Sequence, residues 1–343
     1  MSFERVALVG ATGAVGKEMI NCLFSEKYPI ESLFLFASTK SVGAVMETPF
    51  GELAVAEFSV DAVLAAGARI VLLAVSGGFS EEFSPILAQK GCIVIDNSSA
   101  FRYMGNVPLV IPELNSETLP DITSGKGCII ANPNCTTAIL AMALFPIHQN
   151  FGVKKVISST YQAASGAGEP GVKELEAAMA ARANGDFTFK PSVFSHNLCC
   201  NVIPCIDVVQ ANNYTKEEMK MVWETQKIFK NSNIQISCTA VRVPTIRAHC
   251  VSAVIETENE VSPDAVRSLL AVAPGVIVAD DPVNKVYPVP ADATGKYEIL
   301  VGRIRQSLIF GSHGIEMFVS GDQLLRGAAL NAVRIACHLV VSR

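Results

Sequence analysis

Residues 4–24, ERVALVGATGAVGKEMINCLF, read as a short strand, a glycine-rich turn and a helix. Val6, Ala7, Leu8 and Val9 form a continuous apolar run, the pattern of a strand buried on both faces. Val15, Met19, Ile20 and Leu23 then recur at helical spacing. Between them Gly10, Gly13 and Gly16 spell G-x-x-G-x-x-G. Glycines let the backbone approach a pyrophosphate, and a helix start offers N–H groups and the positive end of the dipole. The motif is weak alone. After a strand and before a helix it points to a nucleotide site.

The pattern continues outward. SLFLFAS (32–38), RIVLLAVS (69–76) and GCIVIDNSS (91–99) are further apolar strands, with a helix over 77–90. Alternating strands and helices imply a parallel sheet covered on both faces, so this half reads as a Rossmann-like, doubly wound α/β domain. Folds that bind NAD commonly place an acid after the second strand, on the ribose 2′-hydroxyl. Here ASTKSVG (37–43) offers Ser38, Lys40 and Ser41 and no acid, which favours the 2′-phosphate of NADP.

The texture changes after Cys135. Residues 135–149 read as a buried helix and 153–163 as a strand. Amphipathic helices follow over 169–184 and 215–231. Two long strands flank Pro244 in 234–258, and two more fill 297–322. This is an α+β domain with a mixed sheet. Asp322 caps a final Ala-rich helix. The expected division is a nucleotide domain over 1–131, with helix 322–343 packing back on it, and a catalytic and dimerisation domain over 132–321.

The 343 residues are half apolar and 17% charged, with a net charge of -5. That composition supports large cores and speaks against general nucleic-acid binding. No apolar run nears the roughly 20 residues of a membrane span, and no export signal is visible, so a cytoplasmic protein with reduced thiols is expected. The ten cysteines include no Cys-x-x-Cys pair, so no metal site is expected.

One cysteine stands apart. In IIANPNCTTAIL (129–140), Cys135 opens a helix with Asn134 as a plausible cap. The dipole there favours thiolate. A nucleophile also needs a proton-transfer partner. Of five histidines, His148 and His338 fall on helices, while His196 and His313 suit loop or strand contacts. His249 follows Arg242 by seven residues, an odd separation that reverses the strand face unless Pro244 bends the chain. Arg242 suits a carboxylate. Arg102 follows a strand end, where ligands of open sheets collect. Glu217 and Lys220 share a helix face, as an ion pair would.

These residues resemble the aspartate-semialdehyde dehydrogenase family. The resemblance runs in order through VALVGATGAVG, FASTKSVG, VIDNSSAFR, IIANPNCTTAIL, STYQAASGAG, NVIPCID, KEEMK, RVPTIRAH and RGAALNAV. It implies a fold like that of glyceraldehyde-3-phosphate dehydrogenase and a homodimer, with tetramers in reach. It also implies NADPH-dependent reductive dephosphorylation of L-aspartyl-4-phosphate to L-aspartate-4-semialdehyde, in biosynthesis of lysine (through diaminopimelate), threonine, methionine and isoleucine.

By matching position, Cys135 is the acyl-carrying nucleophile, His249 the acid/base, and Gln162 orients substrate. Arg242 takes the substrate carboxylate and Glu217 its amino group. Arg102 and Lys220 bind phosphate. The cofactor site takes Gly10, Thr12, Gly13, Ala14, Val15 and Gly16. Ser38, Lys40 and Ser41, then Ser165, Gly166 and Gln323, belong to it as well. Lys40 stands where the family more often has Arg, Gln323 where it has Asn, and Cys205 where it has His. A related N-acetyl-gamma-glutamyl-phosphate reductase and a non-catalytic NADP-binding sensor are the alternatives.

Overall fold

The computed structural model describes residues 4–341. The chain forms two units, Met1–Asn134 with Ala328–Arg343, and Cys135–Gly327. The first contains β1 (Glu4–Val9), α1 (Ala14–Ser25), β2 (Ile30–Ala37), β3 (Val45–Thr48), β4 (Gly51–Glu57) and α2 (Val60–Ala65). It continues with β5 (Ile70–Leu73), α3 (Gly77–Gln89), β6 (Ile93–Asp96), α4 (Pro112–Asn115) and β7 (Cys128–Ala131). Among the described residues its strands lie in the order β3-β4-β2-β1-β5-β6-β7. All neighbours are parallel except β3 and β4. β5 and β6 are buried along their whole length, which is why Ile70–Leu73 and residues 93–95 are apolar without alternation, with buried Asp96 closing β6.

Order reverses at β1, with β2 on one side and β5 on the other. The glycine turn leaves the C-terminal end of β1 at that switch point, where such sheets bind ligands. The antiparallel edge made by β3 and β4 is not announced by the strand–helix alternation. Its residues are largely exposed, so no apolar run marks them.

The second unit contains α5 (Cys135–Phe151), β8 (Val153–Gln162), α6 (Gly168–Ala183), α7 (Lys216–Ile228), β9 (Gln235–Arg242) and β10 (His249–Thr257). Then come α8 (Pro263–Ala271), β11 (Val276–Val278), α9 (Pro290–Ala293), β12 (Ile299–Ser307) and β13 (Gly311–Gly321). Its sheet has the order β11-β12-β13-β10-β8-β9 and is mixed, as expected. Along β8, Val156, Ser158, Thr160 and Gln162 are buried. The alternate residues face the other way, where Ile157 and Tyr161 are exposed and Tyr161 lies 5.9 Å from Phe318, ring to ring. α5 covers the buried side of β8, β10, β12 and β13, and α7 packs on β9.

Asp322 Oδ1 accepts from the N–H groups of Leu324 and Leu325, the capping expected of it. A π-helical turn over Leu325–Ala329 precedes α10 (Leu330–Val341). Residues 342–343 of the expected helix lie outside the described residues. Within the first unit α10 packs on α1, α4 and β6. Its Arg334 pairs with Glu26 and Glu113. Among the described residues no helix is long and apolar enough to cross a membrane.

Candidate active site

In the first unit the glycine turn has the geometry of a phosphate cradle. Gly10 has φ +85°, and a Cβ there would meet the Ala74 carbonyl oxygen at 2.2 Å. At Gly16 a Cβ would meet the Gly10 oxygen at 2.3 Å. Both glycines are required by the chain itself. Gly13 is different: its nearest contact would be 3.4 Å, so the chain itself leaves room for a side chain there. Gly13 is also the N-cap of α1 and makes no side-chain cap bond, which leaves first-turn N–H groups of Ala14, Val15 and Gly16 free of a side-chain acceptor. The residues fit a bound dinucleotide. Thr12 Oγ1 lies 3.4 Å from Ser41 Oγ, so the turn and the loop after β2 meet. Ser38 and Lys40 are exposed on that loop.

The segment leading into Cys135 is held by a buried amide network of the first unit. Asn331 of α10 donates to Asn132 Oδ1 (2.6 Å) and to the Val110 carbonyl (2.9 Å). Asn132 donates to Asn97 Oδ1 at 2.5 Å. Arg102 is buried, and its guanidinium donates to the carbonyls of Asn132 (2.7 Å) and Asn97 (2.8 Å). Residues 132–134 form the turn into α5, whose first residue is Cys135. Cys135 is a half-buried thiol outside any disulfide. Gly327 lies so close that a Cβ there would stand 2.6 Å from the Cβ of Cys135.

In the second unit, sheet register gathers three of the expected residues. Gln162 ends β8 and pairs with Arg242 at the end of parallel β9. On the other flank β10 is antiparallel, with Cys250 opposite Tyr161, which brings His249 beside Gln162. Arg242 and His249 therefore lie on separate strands that bracket β8. The seven-residue parity and the bend at Pro244 are beside the point, because residues 243–248 are a connection and not a continued strand. Gln162, Arg242 and His249 are all buried on one face of the sheet.

Their hydrogen bonds connect them. Gln162 Nε2 donates to Glu217 Oε1 at 3.1 Å, and Thr160 donates to Gln162 Oε1. Lys220 Nζ lies 2.8 Å from Glu217 and 2.9 Å from Asp207. Burial opposes the charge of Lys220, but Glu217 and Asp207 outweigh it and hold the ammonium above the usual lysine range. The helical ion pair and the contact with Gln162 thus coexist.

Arg242 Nη1 donates to the Ala163 carbonyl at 2.7 Å, and Phe194 covers its guanidinium at 5.8 Å. Burial lowers its pKa, while Glu217 and Cys135 lie within electrostatic reach and favour its charge.

His249 is fully buried. Its Nδ1 accepts from the Ala163 N–H at 3.0 Å, so a neutral ring carries its proton on Nε2. Nε2 itself is buried without a partner. Burial, then the Arg242 guanidinium, push the imidazole pKa down to about 3. A Cβ on Gly166 would stand 2.6 Å from Arg242 Nη1 and 3.1 Å from His249 Nε2. Gly166 therefore leaves open the space onto which both groups face. Gln323 and Ser165 are hydrogen-bonded to each other, and Gln323 Oε1 accepts from the Ala248 N–H at 2.8 Å.

Several contributors escaped the sequence reading. Ala163 serves both Arg242 and His249 through its backbone, which leaves no side-chain signal. Asn331, an amide inside an apolar helix pattern, was a legible signal. Glu174 accepts from the N–H groups of Ser192, Val193 and Phe194 and so fixes the loop that carries Phe194. Nothing in its amphipathic helix pattern distinguishes it from a surface glutamate.

Comparison with known proteins gives two family matches, "Semialdehyde dehydrogenase, NAD binding domain" over residues 5–122 and "Semialdehyde dehydrogenase, dimerisation domain" over 144–326. The chain is 44% identical over 336 residues to an aspartate-semialdehyde dehydrogenase of Aquifex aeolicus, covering 98% of each. It is 42% identical to one of Bacillus subtilis, covering 96% of each. The crystal structure of aspartate semialdehyde dehydrogenase II from Vibrio cholerae, complexed with ASA, superposes with a TM-score of 0.93 at 37% identity and 99% coverage of each chain.

Proposed function

Because the chain belongs to the aspartate-semialdehyde dehydrogenase family, we propose that it reduces L-aspartyl-4-phosphate to L-aspartate-4-semialdehyde and phosphate with NADPH, through a thioester on Cys135. The observation that carries the mechanism is the alignment of Gln162, Arg242 and His249 across three adjacent strands, on one buried face. The reaction serves the cytoplasmic biosynthesis of lysine, threonine, methionine and isoleucine. Family membership and the matched dimerisation domain support a homodimer.

The Cys135 thiolate, favoured by the start of α5 and by Arg242, attacks the acyl-phosphate carbon. The C–O bond to phosphate breaks and the electron pair leaves with phosphate, whose charge Arg102 and Lys220 offset. Arg242 holds the substrate α-carboxylate, Glu217 its ammonium, and Gln162 orients the chain between them. The glycine turn would hold NADPH, with Lys40 and Ser41 as the residues for its 2′-phosphate and Ser165, Gly166 and Gln323 as further cofactor residues, and the cofactor would supply the hydride to the thioester carbon.

Collapse to the aldehyde then expels the thiolate, which takes a proton from His249 Nε2. A neutral imidazole steadies an anion but does not surrender its remaining proton. The imidazolium form takes a proton from solvent on Nδ1 and gives up the Ala163 N–H bond, a change favoured when a substrate carboxylate offsets Arg242 and an anion develops beside Nε2.

The test is phosphate-dependent cofactor reduction, with aspartate semialdehyde and N-acetyl-glutamate semialdehyde and with NADP and NAD compared. Activity with the first semialdehyde and NADP, lost by at least about 10³-fold in Cys135→Ala with NADP binding retained, is expected. Activity only with the N-acetylated compound, or unchanged turnover in Cys135→Ala, would overturn the reading.

A further inference from the structure

Ala248, the residue before His249, has φ +70° and is fully buried. The left-handed region is unfavourable for any residue with a Cβ, so something must hold Ala248 there. Its N–H donates to Gln323 Oε1 at 2.8 Å. The other end of the same amide, Nε2, donates to Ser165 Oγ. The two bonds fix the amide's orientation, because a flip would set Nε2 against the Ala248 N–H.

Gln323 thereby joins two connections that both touch His249. One follows β8: Ala163 gives the N–H for Nδ1, and Gly166 lies against Nε2. The other precedes β10 and contains Ala248. They are further joined by Ala164 N–H to the Thr245 carbonyl (2.8 Å) and Ser165 N–H to the Ile246 carbonyl (3.2 Å). Next to Gln323, the fully buried Asp322 pairs with Arg247 at 2.7 Å. Consecutive residues 322 and 323 therefore grip consecutive residues 247 and 248.

We propose that Gln323 is a positioning residue for the reaction: by holding Ala248 in the left-handed conformation it aims His249 Nε2 into the space beside Gly166 and Arg242. This rests on the reading of His249 as the acid/base. It separates Gln323 from a role confined to the cofactor, since both ends of its amide are engaged within the chain.

Gln323→Leu keeps the bulk and removes both hydrogen bonds. The expected result is a kcat lowered by about tenfold or more, whatever rise the cofactor contact adds to KM for NADP, since small misplacement of a catalytic group is costly. Glycine adopts the left-handed region without the Cβ penalty. Adding Ala248→Gly to Gln323→Leu should therefore recover several-fold of the lost kcat. If Gln323→Leu does not fold, Gln323→Met, which also keeps the bulk and removes both hydrogen bonds, gives the same pair of comparisons.

Unchanged kcat, or a loss confined to KM for NADP and not recovered by Ala248→Gly, would overturn the proposal. His249→Asn separates the two levels. If it abolishes turnover while Gln323→Leu does not alter kcat, only the positioning role falls. If His249→Asn turns over normally, the acid/base reading falls with it.

Discussion

His249 shows how burial sets the chemistry of one residue. An unperturbed histidine titrates near 6.5, but here burial and Arg242 push the pKa down to about 3. The sign for stability follows. Between those values the unfolded chain binds a proton that the folded chain refuses, so stability is full above about pH 6.5 and falls as pH falls toward about 3, by up to ~1.4 kcal/mol per unit. Wild type and His249→Gln, melted at pH 7 and pH 5, should show a larger loss in wild type. Parallel losses would mean that His249 does not carry this linkage. The residue type and its place after Arg242 were readable in the chain. Its tautomer was not, because the Ala163 N–H that sets it comes from 86 positions away.

The start of α7 illustrates the element scale. Thr215 Oγ1 accepts from the Glu218 N–H, and Glu218 Oε2 accepts from the Thr215 N–H, a complete capping box. Glu218 Oε1 also accepts from Ala240 in β9 at 3.0 Å, which ties the first turn of α7 to the strand that ends in Arg242. Glu217 and Lys220 ride on that turn. Thr215→Ala should cost about 1 kcal/mol in thermal or denaturant unfolding and raise KM for the semialdehyde more than KM for NADP. Thr215→Ser should restore both. An unchanged KM ratio would separate the cap from the substrate residues. The box, Thr followed three residues later by Glu, is visible in TKEE. Its anchor on β9 is not, since side-chain spacing along a helix says nothing about which strand lies beside it.

For the whole molecule, the buried face of the second sheet holds the candidate chemistry, and the opposite face carries exposed Ile157 and Tyr161 near Phe318. That face is mixed, with Ile157 and Tyr161 set among the Lys155–Glu256 and Arg305–Glu316 ion pairs, a composition that suits an interface with a second copy of the chain. Ile157→Glu should shift the protein toward monomer in sedimentation velocity, whereas an unchanged mass would move the interface elsewhere. Local pattern fixed much of this protein before any tertiary contact. The glycine turn between strand and helix, the apolar unalternating runs and the cysteine at a helix start each depend on residues within one or two turns. Family resemblance added the roles. Register across β9, β8 and β10 was decided only by the folded chain. One strand pairs parallel and the other antiparallel, so residues 162, 242 and 249 meet at one level although no single-strand periodicity relates them. A one-residue slip in either pairing would turn a site residue to the opposite face, and what prevents it is the burial of the whole sheet face against α5 and α7.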